Sequence, residues 1–104
     1  MAKIETMIGF AIKANKIIYG AERIYTSSFN KNKNAKLIII CSTLADNSKK
    51  KLLEKKLSNQ KILLSKNLLD DIVHKTNCKA IAITDTNFIR PILENLNEYY
   101  TLLD

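Results

Sequence analysis

The side chains that could take part in binding or catalysis form two groups, a run of three lysines and a histidine–cysteine pair. Lys49, Lys50 and Lys51, called the lysine run below, follow an Asp-Asn-Ser segment whose side-chain oxygens are typical helix N-caps. A helix predicted over residues 49–57 carries this run in its first turn, where the macrodipole disfavours each cation by about 0.3–1 kcal/mol. Backbone N–H groups of the same turn can bind phosphate. The placement indicates an anion-binding surface, with a solvated helix face as the alternative.

The second group contains His74 and Cys78, which lie at helical spacing, so that a Cys–His catalytic pair is conceivable. We interpret them instead as a surface histidine at a helix end and a small buried cysteine, and we assign Cys41 to the core. The sequence has one histidine, no nucleophile motif, no glycine-rich phosphate loop and no paired metal ligands. We therefore predict no enzymatic activity, no catalytic residue, no metal and no cofactor.

Charge is distributed unevenly along the chain. The 17 Lys and Arg residues outnumber the 10 Asp and Glu residues, which gives a net charge of +7. Residues 1–66 contain 14 basic and four acidic residues, a balance of +10, whereas residues 67–104 contain three basic and six acidic residues, a balance of −3. The commonest partner of a basic domain is nucleic acid phosphate. Coding bias is the alternative, because 15 Lys, 11 Asn and 15 Ile residues are also typical of AT-rich genes.

Length, cysteine usage and hydropathy indicate the class of protein. With 104 residues the chain fits one domain, residues 1–104, with a core that needs neither disulfides nor metal. Two cysteines without paired spacing favour a reducing compartment. Charge begins at Lys3, and the longest uninterrupted apolar run is the five residues 37–41, far short of a membrane span. We expect a cytoplasmic protein with no membrane partner.

The elements that must position these side chains alternate between helix and strand. Strands are predicted over residues 17–19, 37–40, 62–64 and 80–83. Helices are predicted over residues 1–16, from Gly20, over 49–57, from Ser65 to Asn77, and from Asp85 or Thr86 onward. This order predicts an α/β fold, a three-layer α/β/α sandwich with a four-stranded mixed sheet, and residues 98–104 are expected to fray.

Helical periodicity also predicts which side chains are buried. The inward-facing residues expected on the four later helices are Ile24, Phe29, Leu52, Leu53, Leu57, Leu68, Leu69, Ile72, Val73, Phe88, Ile92, Leu93 and Leu96. Asp70 and Asp71 are expected to point outward.

Residues 14–22, Ala-Asn-Lys-Ile-Ile-Tyr-Gly-Ala-Glu, resemble the Ala-Gly-Lys-x-x-x-Gly-x-Glu opening of bacterial YlxQ-type proteins, a branch of the ribosomal protein L-seven-Ae family of RNA-binding proteins. Further matches follow in order at residues 35–37, at residues 47–48 before the lysine run, and at residues 82–85 leading to Phe88. The similarity spans about residues 7–96. It implies a four-stranded mixed sheet between helices and binding of structured RNA, in the best-known members kink-turns.

In that family the turn after the first strand recognises sheared G·A pairs through Gly-x-Asn-Glu-x-x-Lys, and the loop before the last strand packs on an extruded base. Here the glycine is Gly20, while Glu22 replaces Asn, Arg23 replaces Glu and Thr26 replaces Lys. A carboxylate at the Asn position cannot donate hydrogen bonds, and the Lys position has lost its charge.

The resemblance and the charge pattern together predict an RNA-contacting set. It contains Lys16, Gly20, Ala21, Glu22, Arg23, Thr26, Lys31, Lys33, Lys36, Lys49, Lys50, Lys51, His74 and Lys75. We expect a monomer that binds ribosomal or other structured RNA and takes no small-molecule substrate. The alternative is a protein-interaction module of the translation or transcription machinery that kept the fold and lost kink-turn recognition.

Overall fold

The computed structural model describes residues 3–27, 36–54, 60–67 and 69–103. Its helices are α1 (Lys3–Lys13), α2 (Ala21–Ser27), α3 (Asp46–Glu54), α4 (Leu69–Val73) and α5 (Ile89–Glu94), the last preceded by a 3-10 turn at Thr86–Phe88. Its strands are β1 (Ile17–Tyr19), β2 (Leu37–Cys41), β3 (Lys61–Ser65), β4 (Ala80–Ile83) and β5 (Tyr100–Leu102).

The five strands form one mixed sheet in the order β1-β4-β2-β3-β5. β2 and β3 pair in parallel, and β4 lies antiparallel to both β1 and β2. The predicted central strand is correctly placed, because β2 lies in the middle of the sheet and all five of its residues are buried. The prediction of four strands was wrong by one. β5 pairs antiparallel with β3 in the segment that was expected to fray, and Tyr100, which is 3% exposed, anchors it in the core.

Both faces of the sheet are covered by helices. The larger core contains alternate β2 residues such as Ile39 together with Ile8 of α1, Leu69 of α4 and Ile92 of α5. The smaller core lies on the other face, where Ile24 of α2 and Leu52 of α3 pack near residues such as Ile40 of β2. This alternation follows from the two-residue period of a strand. The predicted mixed α/β architecture with a helix layer on each face is therefore present.

Several predicted details of the helices were wrong. α3 runs from Asp46 to Glu54, and its Leu53 is 41% exposed rather than buried. α5 ends at Glu94, which leaves Leu96 37% exposed. α4 ends at Val73, because His74 adopts the left-handed φ of 58° that commonly ends a helix. Phe29, Leu57 and Leu68 lie outside the described residues.

The two ends of the sheet differ in what they can present to a partner. β1, β2 and β3 run in the same direction, since β4 is antiparallel to both β1 and β2 and β3 is parallel to β2. We call the end at which these three strands finish the carboxyl edge, and the other end the amino edge. In the part of the chain that the structure describes, no helix has the length and apolar character needed to cross a bilayer.

Candidate nucleic-acid interface

The turn between β1 and α2 lies at the carboxyl edge. Gly20 has a φ of +94°, a left-handed conformation that side chains rarely adopt. Its N–H donates to the carbonyl of Ala80 at 2.9 Å, and its carbonyl accepts the N–H of Ile24 at 3.1 Å, which starts α2. The bond to Ala80 attaches the turn to the start of β4.

The loop before β4, residues 74–79, lies beside this turn. The Asp70 carboxylate accepts hydrogen bonds from the backbone N–H of Asn77 at 2.9 Å and of Cys78 at 2.5 Å. The expectation that Asp70 points outward into solvent was wrong, because its half-buried side chain accepts these two hydrogen bonds from the loop. The Asp70 carboxylate thus holds the loop against α4. At the other end of the loop, the backbone carbonyl of Lys79 accepts a hydrogen bond from the N–H of Cys41.

Four lysines from two segments, α3 and the loop before β4, lie along this edge. We call Lys49, Lys51, Lys75 and Lys79 the basic rim. Lys49 Nζ donates to the carbonyl of Ser42 at 2.9 Å, and Lys79 Nζ donates to the hydroxyl of Thr43 at 3.1 Å. Both contacts anchor an ammonium group on residues 42–43, the loop that follows β2.

Aromatic rings hold the other two ammonium groups. Lys75 Nζ lies 4.5 Å from the centre of the Tyr19 ring, and Lys51 Nζ lies 4.3 Å from the centre of the Tyr25 ring. Both distances are within the range of cation–π attraction. Lys51 is also 3.9 Å from a carboxylate oxygen of Glu22, whose side chain is 87% exposed. An ion pair this exposed contributes little and screens readily.

The chemistry of the basic rim follows from these contacts. The backbone carbonyl, the hydroxyl and the two rings that hold the ammonium groups are uncharged, so they fix positions without neutralising charge. Among these partners of the four lysines, Glu22 alone carries a negative charge, and it lies beside Lys51. The arrangement can therefore bind anions, and phosphate groups spaced along a backbone can each contact a separate ammonium group.

The lysine run does not occupy the first turn of its helix. Because α3 begins at Asp46, the first turn contains that acidic residue, and Lys51 lies in the last turn. The macrodipole therefore does not penalise the run as the sequence suggested, and that part of the anion-binding argument was wrong. The evidence for an anion-binding surface at the run is instead the side-chain contacts of Lys49 and Lys51. Lys50 is exposed.

The other predicted RNA-contacting residues are divided between the two edges. Ala21, Glu22, Arg23 and Thr26 belong to α2, and Thr26 donates its hydroxyl to the carbonyls of Glu22 and Arg23 at 3.1 Å. His74 is exposed at the start of the loop before β4.

Two of the predicted lysines lie at the amino edge instead. Lys36 donates its N–H to the carbonyl of Ile83, and the Lys16 carbonyl accepts the N–H of Thr84. The structure therefore does not bring them together with the Gly20 turn. Lys31 and Lys33 lie outside the described residues.

Sequence reasoning missed Lys79 and the two tyrosines. Lys79 could have been found, because it immediately precedes a predicted strand that runs opposite to β2 and so must start at the carboxyl edge. The tyrosines gave no such signal, since their pairing with lysines from other elements depends on packing.

The cysteines show no catalytic arrangement with His74. Cys41 and Cys78 are both buried, as predicted, and His74 and Cys78 are not on one helix, because α4 has ended. Burial raises the pKa of the Cys78 thiol, and the negative charge of Asp70 adds to the effect. Burial is the largest influence on the Cys41 thiol and raises its pKa, but hydrogen bonds with Thr43 and the Leu69 backbone and the positive charge of Lys79 together lower it below the usual value. The described residues contain no cluster of three or more His, Cys, Asp or Glu that could hold a metal ion.

Comparison with protein-family models gives no match, and neither does comparison with curated proteins. Among solved structures, the chain is similar to one described as a protein with unknown function from Bacillus halodurans C. The TM-score is 0.79 and the sequence identity 26%, over 90% of this chain and 96% of that chain. The mixed α/β fold described above is therefore shared with that protein over nearly the whole length of both chains.

Proposed function

We propose that this protein binds structured RNA, without enzymatic activity, through the basic rim and the adjacent Gly20 turn. The observation that carries the proposal is that four lysines, from α3 and from the loop before β4, each have their ammonium group held by a residue at or near the carboxyl edge of the sheet. Contacts to phosphate supply most of the affinity of a protein for nucleic acid and position it on its target.

The resemblance to the ribosomal L-seven-Ae family supports RNA as the partner. The two segments it implies for RNA contact are the turn after the first strand and the loop before β4. These segments are neighbours here, because Gly20 donates to Ala80 at the end of that loop. We infer a monomer of this type acting in the cytoplasm on ribosomal or other structured RNA.

One observation favours the alternative, a protein-interaction module. Glu22 stands where the family has Asn, and its exposed carboxylate lies beside Lys51 in the rim. A carboxylate repels phosphate, whereas a protein surface of mixed charge could pair with both groups. Basic residues outnumber this single acid on the rim, and for that reason we favour RNA.

Crosslinking in cells, followed by sequencing of the attached RNA, tests the proposal directly. We expect enrichment of a defined set of structured RNAs with the wild-type protein and its loss with the double variant Lys75→Glu, Lys79→Glu. The matched control is Lys16→Glu, Lys61→Glu, which changes the net charge equally at the amino edge. Equal crosslinking by both variants would place the RNA elsewhere, and capture of protein without RNA would favour the interaction module.

A further inference from the structure

The ring of Tyr19 and the ammonium group of Lys75 face each other at the carboxyl edge. Lys75 Nζ lies 4.5 Å from the centre of the ring, within the range of cation–π attraction. Tyr19 is half-buried and packs against the larger core, whereas Lys75 is exposed. An exposed lysine normally samples many rotamers, and immobilising it on binding costs conformational entropy. A fixed ring that attracts the ammonium group therefore reduces the number of positions that this group samples before a partner arrives.

The backbone holds the two partners in place independently of one another. Tyr19 is the last residue of β1 and lies opposite Ile81 in the pairing of β1 with β4. The loop that carries Lys75 is held by the carboxylate of Asp70 through the two hydrogen bonds described above. The ring and the lysine thus face each other because of sheet pairing and loop anchoring, which do not depend on a bound partner.

The ring holds the ammonium group without neutralising it. Burial raises the pKa of Tyr19 above its usual value, and the charge of the nearby Cys78 thiol adds to the effect, so that the phenol stays neutral. The full charge of Lys75 is then left for a phosphate. Lys51 differs, because it lies 4.3 Å from the centre of the Tyr25 ring and also 3.9 Å from a carboxylate oxygen of Glu22. A carboxylate competes with phosphate for an ammonium group, whereas a neutral ring does so only weakly.

We propose that Tyr19 is a positioning residue for RNA binding, whose ring holds the Lys75 ammonium group where it meets a phosphate and does not itself contact the RNA. This role rests on the proposed function, since it requires RNA on the basic rim. Affinity rises when a side chain is ordered before association, because that ordering is no longer a cost of binding. Removal of the ring should therefore weaken binding while the number of phosphate contacts stays the same.

A double-mutant cycle with a fluorescently labelled kink-turn RNA, measured by anisotropy, tests this role. Tyr19→Leu should weaken binding by about two- to fivefold, and Tyr19→Phe, which keeps a ring, should bind within about twofold of the wild type. The salt slope should be unchanged in Tyr19→Leu and should decrease in magnitude by about 0.9 in Lys75→Met, because only the second change removes a charge. Once Lys75 is Met, Tyr19→Leu should have no further effect.

A purely structural effect of Tyr19→Leu would weaken binding equally with Lys75 or Met at position 75, and that result would overturn the proposal. An equal loss in Tyr19→Phe and Tyr19→Leu would also overturn it. The matched control is Tyr99→Leu, a tyrosine that is 46% exposed just before β5, and it should leave the affinity unchanged.

NMR without RNA separates this role from the proposed function. The ring current should shift the side-chain Hε signals of Lys75 upfield in the wild type and in Tyr19→Phe, and the shift should be lost in Tyr19→Leu. Absence of this shift in the wild type would overturn the proposal. If the shift is present and the wild type binds no RNA, the proposed function has failed, and the role of Tyr19 with it. If the wild type binds RNA and the cycle shows no coupling between Tyr19 and Lys75, only the role of Tyr19 has failed.

Discussion

Replacing Lys75 and Lys79 by Met should halve the salt dependence of RNA binding. If each of the four rim ammonium groups contacts one phosphate, the logarithm of the association constant falls with the logarithm of salt concentration with a slope of about −3.6. Affinity then drops about 150-fold between about 50 and about 200 mM salt. Two remaining contacts give a slope of about −1.8 and a drop of about 12-fold over the same range.

Met is close in size to the aliphatic part of the lysine side chain and lacks the charged ammonium group. The variant should fold as the wild type does, because Lys75 and Lys79 lie in a surface loop and each loses one contact of its ammonium group, with Tyr19 and with Thr43 respectively. Fluorescence anisotropy with a labelled kink-turn RNA at five or more salt concentrations gives both slopes. The matched control, Lys16→Met with Lys61→Met, removes two charges at the amino edge and should leave the slope near the wild-type value.

The reasoning would be refuted by a wild-type slope near zero, since phosphate contacts would then be absent. It would be refuted equally by a slope that changes in the amino-edge control and not in the rim variant, because the RNA would then lie against Lys16 and Lys61.

Three other substitutions have expected outcomes. Glu22→Asn with Thr26→Lys should strengthen binding to a kink-turn RNA by about 1–3 kcal/mol, because it removes the carboxylate of the rim and restores a cation; an unchanged titration would mean that the Gly20 turn does not contact this RNA. Replacing the whole lysine run by Glu should abolish RNA binding without raising the melting temperature, since the run lies beyond the first turn of α3, and a clear gain in stability would contradict the helix boundary. Tyr100→Phe should remove a loss of stability at high pH. The pKa of Tyr100 is raised by folding from 10.0 to about 12, so the unfolded state releases the proton first and stability falls by about 2–3 kcal/mol as pH rises from about 10 to about 12. Urea unfolding across that range checks this, and identical pH dependence in both proteins would show that the phenol titrates normally.

Much of the fold was predictable because its elements have local signals. The apolar runs at residues 37–40 and 62–64 predicted strands covered on both faces, and β2 and β3 are such strands. The helix boundaries were less accurate, since a helix end depends on single residues. α4 ends where His74 takes a left-handed φ, and nothing in the apolar period of the segment marks that position.

The sequence by itself determined the excess of basic residues, the order of helices and strands, and the burial of the two cysteines, since each depends on composition or on short-range periodicity. Only the tertiary structure decided that β5 exists, because a three-residue strand is stabilised by its hydrogen bonds to β3 and by burial of Tyr100 rather than by its own propensity. It also decided which lysines share a surface. The rim combines Lys49 and Lys51 with Lys75 and Lys79, and it excludes Lys36, since the sheet register places strand ends that are distant in sequence at one edge or the other. The periodicity of a segment indicates which face of that helix or strand is buried. Which segments lie next to one another is set by backbone pairing across the sheet.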